Sequence, residues 1–248
     1  MSLTEPDDAA HKVPAKAMTV THRDSSITTD FRRDGFAFAR SMFSPDEAAA
    51  MKAEIRSILA DHSHVGGVYV GLAAVSQLFR RAARNSAMLD ALEHVIGPDI
   101  EFLSDKVALK SGDVQFGSPW HQDWPYWKGA HKVSVWIALD PADRSNGCLR
   151  LLPGSHHHPV EHSGVAPEGE GFGNRLAPGS VDESRAVDAV CAVGDAVLFH
   201  DLTLHASYPN RSGNDRYSLI STYRSAAEPD IRYDWAVAAE VVRGRAQA

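Results

Sequence analysis

Cysteine is nearly absent: Cys148 and Cys191 are the only two in 248 residues. That is too few for a disulfide framework and fits a reducing compartment. Long apolar runs are missing too. Stretches such as Ala196 to Phe199 have the length of a strand, far short of the roughly 20 residues a membrane-spanning helix needs. Residues 1–20 are polar and charged, without the apolar core of a secretory signal. A cytoplasmic protein with no membrane partner is the expectation. Basic charge is not in excess, with 25 Lys and Arg against 32 Asp and Glu and a net charge of −7. Such a surface favours neither nucleic acid nor an anionic membrane. A few arginines in a pocket can still outweigh that mean field, so an anionic ligand stays open. No linker or internal repeat divides the chain, and a 44% apolar content suits one large domain with a substantial core. Nothing in the residues speaks to oligomeric state.

What is abundant is histidine, with 13. His156, His157 and His158 lie between Pro153-Gly154 and Pro159 and read as an exposed turn. Residues 1–27 lack periodicity and read as a loose arm, with ordered structure expected near Thr29 and a single domain over 28–248. Phe36 and Phe38 suggest a short strand after Gly35. Ser44-Pro45-Asp46-Glu47 combines a cap, a proline at the first helical position and a capping-box glutamate. Ala48, Met51, Ile55, Ile58 and Leu59 then follow at helical spacing. A second helix is expected over 86–96, burying Met88, Leu89, Leu92, Val95 and Ile96 and stopped by Gly97-Pro98. Beyond Asp99, short strands are expected at 100–103, 107–110, 132–139, 149–151, 196–199 and 217–223, with turn residues between them. The fold class is therefore mainly β, an antiparallel sandwich or barrel with flanking helices. Residues 161–185 hold glycines, prolines and charges with little periodicity, and read as a lid-like insertion.

Chemistry concentrates in Trp120-His121-Gln122-Asp123-Trp124. On an extended strand, His121 and Asp123 would point to one face. Two imidazoles and a carboxylate make the facial triad of non-haem Fe(II) oxygenases. Alone, a His-X-Asp pair reads better as a solvent-facing polar pair on a strand edge; its surroundings shift the balance. The aromatics Trp120, Trp124, Tyr126 and Trp127 around it suggest a pocket lining that meets substrate, or else plain core. His200 and His205 both offer a third imidazole; His205 is preferred because Ser207 shares its parity and a turn follows. A returning hairpin would then bring Arg216 beside His205. A buried arginine needs an anion, either a structural carboxylate or a bound dicarboxylate such as a 2-oxo diacid. Arg80, Arg81 and Lys106 leave room for an anionic substrate, with surface pairing as the competing role. Gly169, Gly171 and Gly173 lack the strand-then-helix setting of a phosphate loop, and Ser155 lacks a Gly-X-Ser-X-Gly elbow.

In combination, these residues resemble the phytanoyl-CoA dioxygenase family of Fe(II)/2-oxoglutarate oxygenases. The stretches that carry the likeness are Trp120-His121-Gln122-Asp123, Trp136-Ile137-Ala138-Leu139, Asn146-Gly147-Cys148-Leu149, Leu152-Pro153-Gly154-Ser155-His156 and His205 to Arg216. They follow the family's order over most of residues 29–224. The resemblance implies a double-stranded β-helix (jelly-roll, cupin-like) core. It makes His121, Asp123 and His205 the iron ligands and assigns Arg216 to the 5-carboxylate of 2-oxoglutarate. Ser207 would assist Arg216, and Trp136 would wall the cosubstrate pocket. Lys110 stands where a basic cosubstrate or substrate contact is sometimes placed, and Lys106 competes for that role. The implied activity is hydroxylation of an unactivated C–H bond in a small organic molecule, using O2 and releasing succinate and CO2, with ascorbate as an assay supplement. Desaturation, epoxidation or cyclisation at the same site is the alternative, and a non-catalytic jelly-roll binding module a more distant one. The carboxylate of Asp123 favours these outcomes over halogenation, for which relatives carry a small residue there.

Overall fold

In the computed structural model, residues 25–60, 67–112, 116–162 and 175–245 are described. Residues 1–24 of the expected arm and 163–174 of the expected insertion lie outside them. The chain enters through helix α1 (Ser25–Asp34), earlier than the expected Thr29. Ile27 and Phe31, one turn apart, are buried, and Arg32 and Arg33 sit in the last turn where the helix dipole favours cations. Strand β1 (Phe36–Ala39) follows, then α2 (Pro45–Ile58), where the Ser44 hydroxyl accepts the Glu47 amide and the Glu47 carboxylate accepts the Ser44 amide. Ala48, Met51 and Ile55 are buried, while Ile58 and Leu59 are half-buried. Strand β2 (Gly67–Val70) and short helices α3 (Leu72–Val75) and α4 (Gln77–Ala82) had no sequence signal strong enough to anticipate. Helix α5 (Ser86–Ile96) has the expected bounds, is capped by Asn85, and stops at Gly97 with φ 87°. Val95 and Ile96, in the last turn, are half-buried and pack against the helix-side core.

The remaining strands are β3 (Ile100–Lys110), β4 (Val133–Ala138), β5 (Leu149–Leu151), β6 (Val187–Asp188), β7 (Ala196–His200), β8 (His205–Ser207), β9 (Arg216–Ser225) and β10 (Glu240–Arg243). Helix α6 (Trp124–Trp127) interrupts them. Two antiparallel sheets result: a larger one ordered β1-β7-β4-β9-β3-β10, with β2 also on β3, and a smaller one ordered β6-β5-β8. They are the two walls of a double-stranded β-helix, the jelly roll the sequence led us to expect.

The larger sheet is buried on both faces, and each face has its own core. Val135, Ile137, Leu198, Leu219 and Tyr223 pack against the helices. Phe36, Trp136, Ala138, Val197 and Phe199 pack against Leu149, Leu151 and Cys148 beside the smaller sheet. Residues 100–103 and 107–110 were expected as two strands but form one. A bulge between Phe102 and Ser104 switches which alternate residues face which way. Phe102 pairs with Tyr223 on the helix face, whereas Ser104 pairs with Thr222 on the inner face. Lys106, Ala108 and Lys110 continue the inner row. No helix among the described residues is long and apolar enough to cross a membrane.

The segment after β9 is tied down by a buried cation. Lys132 is fully buried, and its ammonium donates to Lys128 O (3.1 Å), Ala130 O (2.6 Å), Asp230 Oδ2 (2.7 Å) and Tyr233 Oη (2.7 Å). Asp230→Ala leaves that charge buried without its counter-ion. A loss of about 3 kcal/mol in urea unfolding is expected, with partial recovery in the Lys132→Met/Asp230→Ala double variant.

Candidate metal centre

His121 and His205 are held together by their backbones. His121 N donates to His205 O and His205 N donates to His121 O, both at 3.0 Å, an isolated antiparallel bridge between β8 and the segment after β3. This places the imidazole centroids 4.1 Å apart. Each ring is then fixed by the carbonyl two residues before it: His121 Nδ1 lies 2.8 Å from Pro119 O, and His205 Nδ1 lies 2.9 Å from Thr203 O. A carbonyl only accepts, so Nδ1 carries the proton and Nε2 keeps its lone pair. Both Nε2 atoms face Asp123 Oδ1, at 3.8 and 3.9 Å. The three ligand atoms lie within 4.8 Å of one another, and all three residues are buried. Two neutral imidazoles and one carboxylate, converging with lone pairs inward, are a donor set that can hold a divalent metal.

The pair does not sit on an extended strand as expected. Asp123 has φ −77° and ψ −24° and stands just before α6 without a side-chain capping bond, and the proline at position 125 favours a helix start. Its amide donates to Asp201 O (2.9 Å), and its Oδ2 accepts from Ser134 Oγ (3.3 Å). Gln122, between the two, turns away and is fully buried. It donates to His158 O and Leu202 O and accepts from the Val160 amide. In the sequence Asp201, next to His200, reads equally as a hydrogen-bond partner for a ligand or as a loop salt bridge, and Gln122 has no signal for its buried role. Asp201 is a hub: its carbonyl takes the amides of Asp123 and Trp124, and its carboxylate takes Trp127 Nε1, His131 Nδ1 and the Lys132 amide. His200, the competing third imidazole, belongs to this hub instead, with Nδ1 accepting the Leu202 amide and lying 3.1 Å from Asp201 Oδ1.

Arg216 opens β9 on the inner face, opposite Lys110 of β3. No hairpin joins it to His205; β8 and β9 lie in different sheets, and residues 208–215 carry the chain across between them. The guanidinium is 2% exposed and 5.5 Å from the Trp136 ring centroid. Nη1 donates to Ser218 Oγ (2.8 Å) and Nη2 to Gly147 O (3.2 Å), while the buried Nε has no partner. Among the described residues no carboxylate pairs with it, and burial pulls its pKa down to about 10. Gly147 was not singled out as a guanidinium contact. It has φ 91°, and a Cβ there would lie 2.7 Å from Lys110 Cδ.

Lys110 is also buried on this face, and its pKa falls to about 7 through burial and then the Arg216 charge. Its ammonium is saturated by neutral acceptors: Phe116 O (3.0 Å), Ser207 Oγ (2.8 Å) and Tyr208 O. Ser207 therefore serves Lys110, and also the Ser118 amide (3.0 Å), rather than Arg216. Two close buried cations without a carboxylate, one with an orphaned N–H, fit the distal end of a dianionic cosubstrate.

The four aromatics divide. Trp127 is buried, donates to Asp201 and lies 5.6 Å from Trp235, so it is core. Tyr126 is 46% exposed. Trp120 donates to Glu183 and carries the Arg150 guanidinium 5.1 Å above its ring, and Trp124 lies 5.0 Å from His131. Of the three histidines at 156–158, His156 is not exposed: its Nδ1 is buried beside Gly35.

A family model described as phytanoyl-CoA dioxygenase (PhyH) matches residues 31–218, and the chain belongs to that family. The match spans His121, Asp123, His205 and Arg216. Peroxisomal phytanoyl-CoA dioxygenase of Rattus norvegicus is 32% identical over 166 residues, which are 63% of this chain and 48% of that protein. The chain thus spans about half the length of that relative. Ectoine dioxygenase of Stutzerimonas stutzeri (strain A1501) is 25% identical over 229 residues, 80% of this chain and 76% of that protein. Among solved structures, the non-heme monooxygenase ThoJ is 28% identical with a TM-score of 0.75, covering 88% of this chain and 84% of ThoJ.

Burial pushes the His121 pKa down to about 3, with the nearby His205 adding to the effect. His205 is lowered too, first by burial. For Asp123, burial acts upward, but the charge of Lys106, then of His205 and His121, holds the carboxyl below its ordinary range. A histidine with a folded pKa below its unfolded value of about 6.5 binds its proton first in the unfolded chain. The metal-free protein should therefore lose stability as pH falls from about 6.5 toward 3. Urea midpoints against pH check this, and His121→Leu should flatten the profile.

Proposed function

We propose that the chain is a non-haem Fe(II)- and 2-oxoglutarate-dependent dioxygenase that hydroxylates an unactivated C–H bond of a small organic molecule. The observation that carries this reading is the pairing of two features: lone pairs of His121, His205 and Asp123 converge, and Arg216 stands buried with no carboxylate paired to it among the described residues. In this reading the three residues of the triad hold iron, Arg216 holds the 5-carboxylate of 2-oxoglutarate, and Trp136 walls the cosubstrate pocket. The relatives' names support it, as does the non-heme monooxygenase that shares the fold. Bound iron, with 2-oxoglutarate and O2, supplies the oxidant for C–H attack while succinate and CO2 leave.

The rest is the protein's own work. The Pro119 and Thr203 carbonyls keep both Nε2 lone pairs aimed inward, so metal capture needs no tautomer change. Ser134 and the Asp201 carbonyl set the Asp123 carboxylate and backbone. Lys110 takes no direct part in cosubstrate binding; its charge adds to the field at Arg216, and its bonds to Phe116, Ser207 and Tyr208 brace the wall. Trp120 and Trp124 are proposed to border the substrate space. A single oxygenase domain over 28–248, a small-molecule substrate and a cytoplasmic location belong to the same proposal. The location is supported by two buried free cysteines.

The test is substrate-independent succinate release under Fe(II), 2-oxoglutarate and ascorbate. His121→Ala should abolish it together with metal binding. Arg216→Ala should weaken 2-oxoglutarate binding by about 100-fold while metal affinity is retained. Succinate release at the unmodified rate in His121→Ala, or unchanged cosubstrate affinity in Arg216→Ala, would sink the corresponding assignment.

A further inference from the structure

Four strands of the larger sheet put Val197, Trp136, Ile220 and Lys106 in one continuous inner row across β7, β4, β9 and β3. Lys106 ends that row next to Val70 of β2, an outer strand whose Val68 and Val70 are exposed. It is therefore a cation at the rim of the inner face, half-buried rather than extended into water. Its charge is felt by His121, Asp123 and His205 alike, so its ammonium stands near the metal centre.

The other lysines of the interior are occupied. Lys110 is saturated by three neutral oxygens, Lys132 is paired with Asp230, and Lys52 is paired with Asp140. The Lys106 side chain, by contrast, makes no hydrogen bond or ion pair within the described residues. An ammonium at a half-buried rim, with no acceptor from the protein among the described residues, is free to take an anionic group from solution. Arg216 cannot share its ligand with Lys106 at the distal end. Arg216 pairs with Lys110, and Lys106 lies four residues along the same strand, about 13 Å away.

We propose that Lys106 is a specificity-determining residue that binds an anionic group, a carboxylate or phosphate, of the primary substrate. This rests on the iron and 2-oxoglutarate reading of the site and adds the substrate's charge class to it. The rim position is what favours the primary substrate over the cosubstrate. Exposed Val68 and Val70 leave that edge of the inner face open to solvent, and an anion held by Lys106 there would present the rest of its skeleton to the metal centre.

The test uses the full chain with Mn(II) in place of iron and saturating 2-oxoglutarate, without O2, so that no turnover is read. Hexanoate and hexanamide, which differ only in charge and head group, are titrated as probes, and paramagnetic relaxation of their methyl protons reports binding near the metal. The expected result is hexanoate binding about tenfold more tightly than hexanamide. Lys106→Met should erase that preference, Lys106→Arg should keep it, and 2-oxoglutarate affinity should stay within about twofold in both variants. Equal binding of the two probes by the unmodified chain overturns the proposal. So does a Lys106→Met variant with weakened 2-oxoglutarate binding, which would give Lys106 to the cosubstrate. Failure of the underlying reading looks different: the unmodified chain would show no Mn(II)-dependent 2-oxoglutarate binding at all.

Discussion

The exchange of two backbone hydrogen bonds between His121 and His205 is the constraint on which the site depends. The two histidines are far apart in sequence, and neither sits in a long regular element. The bridge fixes both Cα positions at once, and the adjacent carbonyls of Pro119 and Thr203 then fix the rings. Little is left to side-chain freedom, so a metal ion would meet a site whose ordering cost has been met by folding. Asp123 completes the set through a different device, a helix start steered by Pro125 and held by Asp201.

Around that point the electrostatics run against the protein as a whole. The chain carries a net charge of −7, yet its inner sheet face holds Lys106, Lys110 and Arg216 with Asp123 as the nearby carboxylate. Folding has sorted charge by location, leaving a net acidic remainder around a basic inner sheet face. Low local polarity strengthens the attraction for an anion inside, while the exterior discourages binding of polyanions at large. Lys110 shows how such a face is kept stable: neutral oxygens solvate its ammonium without cancelling the field Arg216 presents.

Much of this was legible in the residues. The capping box at Ser44 and the Gly97 stop are local signals, and both helices have the expected starts. The triad and Arg216 were legible because their order and spacing survive without knowledge of the fold. What escaped was set by tertiary context. Strand β8 is three residues long, too short for any periodicity to show, and it lies in a different sheet from β9. A hairpin between His205 and Arg216 was a reasonable local reading of an intervening turn, but a jelly roll uses such turns to cross between walls. The helical start at Asp123 did have a signal, Pro125, which the alternation of histidine and aspartate obscured. The division of labour between Lys106 and Lys110 had none: both lie on one strand face, and only the surrounding acceptors distinguish them.

The bulge between Phe102 and Ser104 gives the larger sheet something like a reading frame. Upstream of it, even-numbered residues of β3 face the helices; downstream, they face the inner side of the sheet. Loss or gain of one residue there would invert every side chain that follows, sending Val107 and Leu109 into the pocket and Lys106 and Lys110 into the helix core. Homologues should thus tolerate many substitutions along β3 but few single-residue insertions or deletions within it. Variation in length is better absorbed before β3 or after Lys110, where no face has to be kept.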